Sequence, residues 1–186
     1  MKVGKLVVFE GISGTGKETQ AKLLQKFLKR KHIVAHIVFH PSPELKNILF
    51  AWRKQRHISS ATELYLFLAD RRSRVEQIIN PALARGEWII SLRSYLSAYV
   101  YQGDGKEFQK FEPKADWLFY FDITPAAARR RILKRGELIG KFETQKLLHE
   151  KRNIYKKVLR TIPHVVIDAG QTLEHIHKQI VRNITE

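Results

Sequence analysis

An α/β fold, with a five-stranded parallel sheet and helices on both faces, is what this 186-residue sequence predicts. Three observations carry the prediction. Five short apolar runs stand apart along the chain: Leu6 to Phe9, Ile33 to Phe39, Trp88 to Ser91, Trp117 to Asp122 and Val165 to Asp168. Long amphipathic or charged segments separate them, and strands that alternate with helices build a parallel sheet. The first run empties into Gly11-Ile12-Ser13-Gly14-Thr15-Gly16-Lys17, a glycine-rich turn that closes on Gly-Lys. Ligands of such sheets collect at the carboxyl ends of the strands. The positions of interest are therefore Gly11 onward, His40 to Glu44, Leu92 to Ser97, Ile123 onward and Ala169-Gly170.

The elements follow in order. A first helix runs from Lys17 to about Lys31. Ser59, Ser60 or Thr62 caps another, through Leu64 to about Arg85, which Pro81 breaks or bends late. Thr124 and Pro125 form an N-cap and N1 pair. The helix after them carries Arg129, Arg130, Arg131 and Lys134 and breaks at Gly136. Residues 135–142 interrupt two helical segments and read as a loop. Thr172 caps a last helix to about Asn183. No internal repeat, low-complexity tract or linker divides the chain, so residues 1–186 read as one domain.

Composition excludes several chemistries. Without cysteine there is no disulfide, thiolate metal site or cysteine nucleophile. The apolar runs are too short for a signal peptide or a membrane span, which makes a cytoplasmic protein the expectation. Thirty-four Lys and Arg against eighteen Asp and Glu give a net charge of +16. That excess favours anionic partners: nucleotides, nucleic acid or acidic lipid. It does not choose among them. Charges such as Lys151, Arg152, Lys156 and Lys157 read first as a solvated helix surface. Among the histidines, His175 and His177 point to different helix faces, whereas His36 and His40 can share a strand face.

The glycine-rich turn has a chemistry of its own. Its glycines let successive backbone N–H groups converge on phosphate oxygens. Lys17 adds a point charge, and the following helix turns its positive dipole end to the same anion. In this pattern the residue after the lysine is Ser or Thr, whose hydroxyl binds magnesium. Here it is Glu18, followed by Thr19. A carboxylate suits a hard cation, so Glu18 is the candidate metal ligand.

The chain resembles the thymidylate kinase family of P-loop nucleoside monophosphate kinases, on motifs in the family's order. These are Phe9-Glu10-Gly11 through Lys17-Glu18-Thr19-Gln20, Leu64 to Arg71, Asn80 to Trp88, Tyr99-Val100-Tyr101-Gln102-Gly103, Phe121 to Pro125, Lys134-Arg135-Gly136-Glu137 and Val166 to Ala169. The resemblance implies a P-loop kinase architecture with a lid at about 129–143. It implies transfer of a phosphoryl group from ATP, with Mg2+, to a nucleoside monophosphate, thymidylate foremost. ATP would contact Gly11, Ile12, Ser13, Gly14, Thr15, Gly16, Lys17, Glu18 and Thr19. The acceptor would contact Phe67, Arg71, Arg93, Tyr101 and Gln102, with Phe67 stacking on the base and Arg71 bonding its edge. Read without the resemblance, Phe67 continues the apolar stripe of Leu64 and Leu68, and Arg71 is a solvated charge. Lys17, Arg93 and Arg135 are the catalytic candidates. The loop between Gly11 and Lys17 carries no positive charge, and the resemblance implies the kind of member whose lid would supply the catalytic cation, here from Arg129, Arg131, Lys134, Arg135 or Lys141. A homodimer is implied as well.

Four positions depart from the family. Glu18 replaces Ser or Thr, Leu92 replaces an Asp before Arg93, and Ser13 replaces a loop Asp beside the acceptor sugar. At the end of the second strand, where an arginine is expected, the chain reads Val38-Phe39-His40. His40 stands where the family has an acidic residue beside the acceptor. These changes keep two other readings open: a nucleotide-binding relative with weakened turnover, and a basic nucleic-acid-binding protein.

Overall fold

Strands Lys5–Glu10 (β1), Ala35–Phe39 (β2), Trp88–Leu92 (β3), Trp117–Asp122 (β4) and Val165–Asp168 (β5) pair in one parallel sheet, in the order β2-β3-β1-β4-β5. The structure, a computed structural model, describes residues 3–55, 58–136 and 142–186. In the central strand Leu6, Val7, Val8 and Phe9 are each at most 2% exposed. Successive strand residues face opposite sides, so this run is covered on both faces.

Helices run between and after the strands: α1 (Lys17–Arg30), α2 (Pro43–Gln55), α3 (Ser60–Arg74), α4 (Asn80–Ala84), α5 (Tyr95–Gln102), α6 (Lys106–Gln109), α7 (Pro125–Lys134), α8 (Gln145–Val158) and α9 (Leu173–Thr185). Helix α1 packs with α9, whereas α5 packs with α8 and α3. The main core lies on the sheet. A second apolar cluster, Leu45, Leu49, Ile58, Phe67, Ala98 and Phe108, joins α2, α3, α5 and α6.

Register places the strand ends together. Phe39 pairs with Leu92, Leu92 with Phe9, Glu10 with Tyr120, and Asp122 with Asp168. The loops leaving β1, β2 and β3 therefore meet over one edge of the sheet.

Three boundaries differ from the expectation. Strand β2 starts at Ala35 rather than Ile33, because the Ile33 N–H donates to Leu28 O at 3.0 Å and closes the end of α1. His32, at φ 58°, makes the left-handed residue of that cap. The helix through Pro81 does not break. It continues from α3 through a π-helical turn, Val75–Ile79, into α4, which carries Pro81 in its first turn. Proline lacks an N–H and its ring crowds the carbonyl one turn back, and the wider turn absorbs both. Helix α2 was not marked in the sequence, although Ser42 Oγ accepts from Leu45 N at its start. The expected caps are in place: the oxygens of Ser59, Thr124 and Thr172 accept from Thr62 N, Ala127 N and His175 N.

Candidate active site

The glycine-rich loop lies flat on its neighbours. A Cβ on Gly11 would meet Phe121 O at 2.5 Å, and one on Gly14 would meet Ala128 O at 2.6 Å. Both glycines have positive φ, 138° and 79°. Glycine is thus required twice over, for conformation and for close approach. The Lys17 ammonium donates to Gly11 O at 2.9 Å, Ile12 O at 2.8 Å and Thr15 Oγ1 at 2.9 Å. Burial, and then the charge of Arg93, hold the Lys17 amine well below the usual lysine range. An arriving phosphate relieves that penalty and competes for the same three donated bonds.

A cleft of about 850 Å³ opens above the loop. Ser13, Gly14, Thr15, Gly16, Lys17, Glu18 and Thr19 line it. Ile12 does not: it is 1% exposed and part of the core. Gly11 contributes its carbonyl rather than cleft wall. Opposite the loop stand Arg131 and Arg135, one helical turn apart at the end of α7. Arg135 also donates to Glu143 at 3.3 Å. Arg129 and Lys134 turn away, toward a separate shallow cavity with Arg130 and Leu133. The basic cluster of α7 is therefore split by helical geometry, and only one face serves the cleft. Lys141, and residues 137–141 of the expected lid, lie outside the described residues.

A second cavity, about 490 Å³, adjoins the first. Phe67, Arg93, Tyr101 and Gln102 all line it. Phe67 is 8% exposed and also belongs to the second apolar cluster, so it is core and pocket wall at once.

The structure does not bring Arg71 to this wall. Its side chain is fully buried, and Nε and Nη2 each donate to Glu112 at 2.9 Å. Nη1 donates to Ser91 Oγ at 3.1 Å, and Ser91 Oγ donates to Arg93 O at 2.8 Å. Phe67 and Arg71 share a helix face, yet the buried Glu112 carboxylate draws the guanidinium behind β3. The expectation that Arg71 is a solvated charge is overturned by the same pair.

Arg93 sits where strain would be expected in a working residue, at φ 84° without being glycine. Its N–H donates to Phe9 O at 3.0 Å, and its carbonyl accepts from Ser91. Its Nη1 donates to Ser97 Oγ and Tyr155 Oη, both at 3.1 Å, and its guanidinium lies 4.8 Å from the centroid of Tyr101.

Behind Arg93 is a carboxylate that sequence reasoning passed over. Glu10, 0% exposed, accepts from Ser94 N, Ser94 Oγ, Ser97 Oγ and Tyr155 Oη at 2.7–2.8 Å. Burial and then the Glu10 charge push the Tyr155 phenol well above its ordinary range, so it stays a donor. An acidic residue closing an apolar strand run was the available signal, because a buried charge needs partners. Tyr155 had no local signal.

His40 lines both cavities. Its Nδ1 lies 3.2 Å from Asp70 Oδ2, which also accepts from Ser42 N. Burial pulls the His40 pKa below 6.5, the Asp70 bond opposing and the Arg71 charge assisting. The imidazole is therefore neutral at pH 7, with Nδ1–H as the donor to Asp70.

No group of three metal-ligating side chains occurs among the described residues. The carboxylates on the cleft wall are exposed Glu18 and Arg135-paired Glu143. Magnesium is commonly held by one or two carboxylates together with substrate phosphates. This donor set fits a cation carried in on a nucleotide, not one caged by protein.

Comparison with known proteins agrees with this geometry. The thymidylate kinase family model matches residues 9–180. Thymidylate kinase of Desulfotalea psychrophila is 32% identical over 194 residues, covering 98% of this chain and 95% of that protein. Thymidylate kinase of Akkermansia muciniphila is 36% identical over 170 residues, covering 83% and 79%. Thymidylate kinase of Plasmodium falciparum is 29% identical over 195 residues, covering 100% and 91%. A phosphate loop, an adjoining aromatic-walled pocket and a shared arginine thus sit in a chain that matches one family over nearly its whole length, and this chain belongs to the thymidylate kinase family.

Proposed function

We propose that this protein transfers the γ-phosphoryl group of ATP to thymidylate. The observation that carries the reading is the adjoining of the two cavities at Arg93, Ser13 and His40. ATP takes the cleft over Gly11 to Thr19, with Lys17 on its outer phosphates and Arg135 facing it. Thymidylate takes the pocket with Phe67 against its base, Tyr101 and Gln102 beside it and Arg93 at its phosphate. The bond between the γ-phosphorus and the bridging oxygen breaks, and its electron pair stays on ADP. A new bond forms between that phosphorus and an oxygen of the thymidylate phosphate.

The residues act by position and charge, as phosphoryl transfer demands. Arg93 is held at Nη1 by Ser97 and Tyr155 together and packs against the Tyr101 ring, so its guanidinium is anchored before substrate arrives. Arg71 serves from behind, through Ser91, by holding the Arg93 backbone in its left-handed conformation. Glu18 would meet a magnesium ion carried in on ATP, whose charge would neutralise that of the phosphates. Residues 1–186 act as one domain, with about 129–143 as the lid. The cytoplasmic location and the homodimer belong to the same proposal and rest on family membership. Among the described residues no helix is long and apolar enough to cross a membrane.

A steady-state assay with ATP, magnesium and a panel of nucleoside monophosphates tests the reading. Thymidylate is expected to be the preferred acceptor, giving its diphosphate. Turnover of another monophosphate above thymidylate overturns the substrate. Absence of turnover with every acceptor, alongside measurable ATP binding, favours the weakened relative instead.

A further inference from the structure

We propose that Lys46 is a second cation for the transferred phosphoryl group, lining with Arg93 both of the cavities that meet here. The inference rests on the kinase reading above and names a residue to which that reading gave no role. Among the described residues, six line both cavities: Ser13, His40, Pro41, Lys46, Arg93 and Glu143. Whatever passes between donor and acceptor passes between these side chains. Among the six, only Lys46 and Arg93 are cations, since His40 is held neutral by burial.

Lys46 is placed for the task. The chain segment that carries it is anchored: Ser42 N donates to Asp70, Leu45 N to Ser42 Oγ, and Lys46 N to Ser42 O. Leu45, one residue before, is buried in the second apolar cluster. The Lys46 side chain is exposed, and among the described residues its ammonium makes no ion pair. Instead it lies 5.8 Å from the centroid of the Phe39 ring. Phe39 is the last residue of β2. Arg93 is fixed, whereas Lys46 is a point charge on a flexible stem. One can hold the acceptor phosphate while the other follows the phosphoryl group as it moves. Charge spreads over the equatorial oxygens of that group in transfer, and cations beside them act mainly on the transition state.

The test compares wild type with Lys46→Ala, Lys46→Arg and Lys46→Glu in steady-state assays with ATP and thymidylate. Lys46→Ala is expected to lower kcat about tenfold or more, short of the about 10²–10³ lost with a buried preorganised donor. Both KM values should move less, Lys46→Arg should recover most of the rate, and Lys46→Glu should lose more than Lys46→Ala. An unchanged melting temperature is expected, because the side chain is on the surface. Calorimetry supplies a second readout with an adenosyl–thymidyl pentaphosphate, which spans both cavities. Lys46→Ala should weaken this compound about tenfold, or about 1.4 kcal/mol, and leave ADP affinity unchanged. An unaltered kcat together with unaltered pentaphosphate affinity overturns the proposal. If wild type fails to phosphorylate thymidylate, the kinase reading fails, and the calorimetric comparison alone decides for or against Lys46.

Discussion

The phosphate cleft and the acceptor pocket share a wall but are built in opposite ways. The cleft is laid on one contiguous stretch, Ser13 to Thr19, with Lys17 folded onto its own loop, and residues of β2, β3 and α7 complete its lining. The pocket is lined from α2, α3, α5, the loops that follow β1, β2 and β3, and the segment before α8, brought together only by folding. Backbone recognition needs glycine at set positions and little else. Side-chain recognition needs partners far away in sequence, such as Glu112 for Arg71 and Asp70 for His40. The first kind survives substitution outside its loop. The second depends on every one of those distant partners.

The largest effect is expected on the cleft side. Lys17→Ala should lower kcat/KM for ATP by about 10²–10³, with the melting temperature little changed, because Lys17 bonds only within the loop. Retention of full activity would show that the cleft does not work through its lysine.

On the pocket side the first break is structural. Arg71→Ala leaves the Glu112 carboxylate buried and unpaired, which costs about 3–5 kcal/mol of stability. Denaturant unfolding measures it. Arg71→Met with Glu112→Leu should recover much of the loss, since a well-packed apolar pair replaces a buried ion pair at small cost. If instead Arg71→Ala leaves stability intact and only raises KM for thymidylate, Arg71 reads the base and the contrast drawn between the two regions fails at this residue.

Phe67→Leu sharpens the comparison further. It keeps apolar volume in the second cluster but removes a flat stacking face. It should raise KM for thymidylate by a factor corresponding to about 1–3 kcal/mol and spare KM for ATP. Equal effects on both substrates would mean that the ring supports the site rather than the base.

The smallest effect is a pH dependence. His40 has a folded pKa below 6.5, so the unfolded chain binds the proton first as pH falls. Stability that is complete above pH 6.5 should therefore decline as pH drops through that value. His40→Asn should flatten this limb in urea titrations between pH 7 and pH 5. Identical pH profiles would remove His40 as its source.

The same contrast explains what could be read in advance. The sheet, Gly11 to Lys17 and the Thr124-Pro125 cap are local patterns, and each stands where the residues place it. Pro81 marked where the helix departs from α-geometry, but that the departure is a π-helical turn and not a break is something nothing in the residues marks. Arg71 and Glu112 are 41 residues apart, and Glu10 and Tyr155 are 145 apart. No periodicity links such pairs. The split of the α7 cations was only half legible from helical spacing: Arg131 and Arg135 are four apart and Arg129 lies off their face, but Lys134, three residues from Arg131, is a neighbour of that face by spacing and yet lines the other cavity.

The central claim is that the two cavities are the two halves of one kinase site. An adenosyl–thymidyl pentaphosphate, used as an inhibitor of the wild-type enzyme, tests it most directly. The account predicts inhibition competitive against ATP and also competitive against thymidylate, because one molecule fills both cavities across Arg93. Competition with ATP alone would contradict it, placing the acceptor somewhere other than the pocket walled by Phe67.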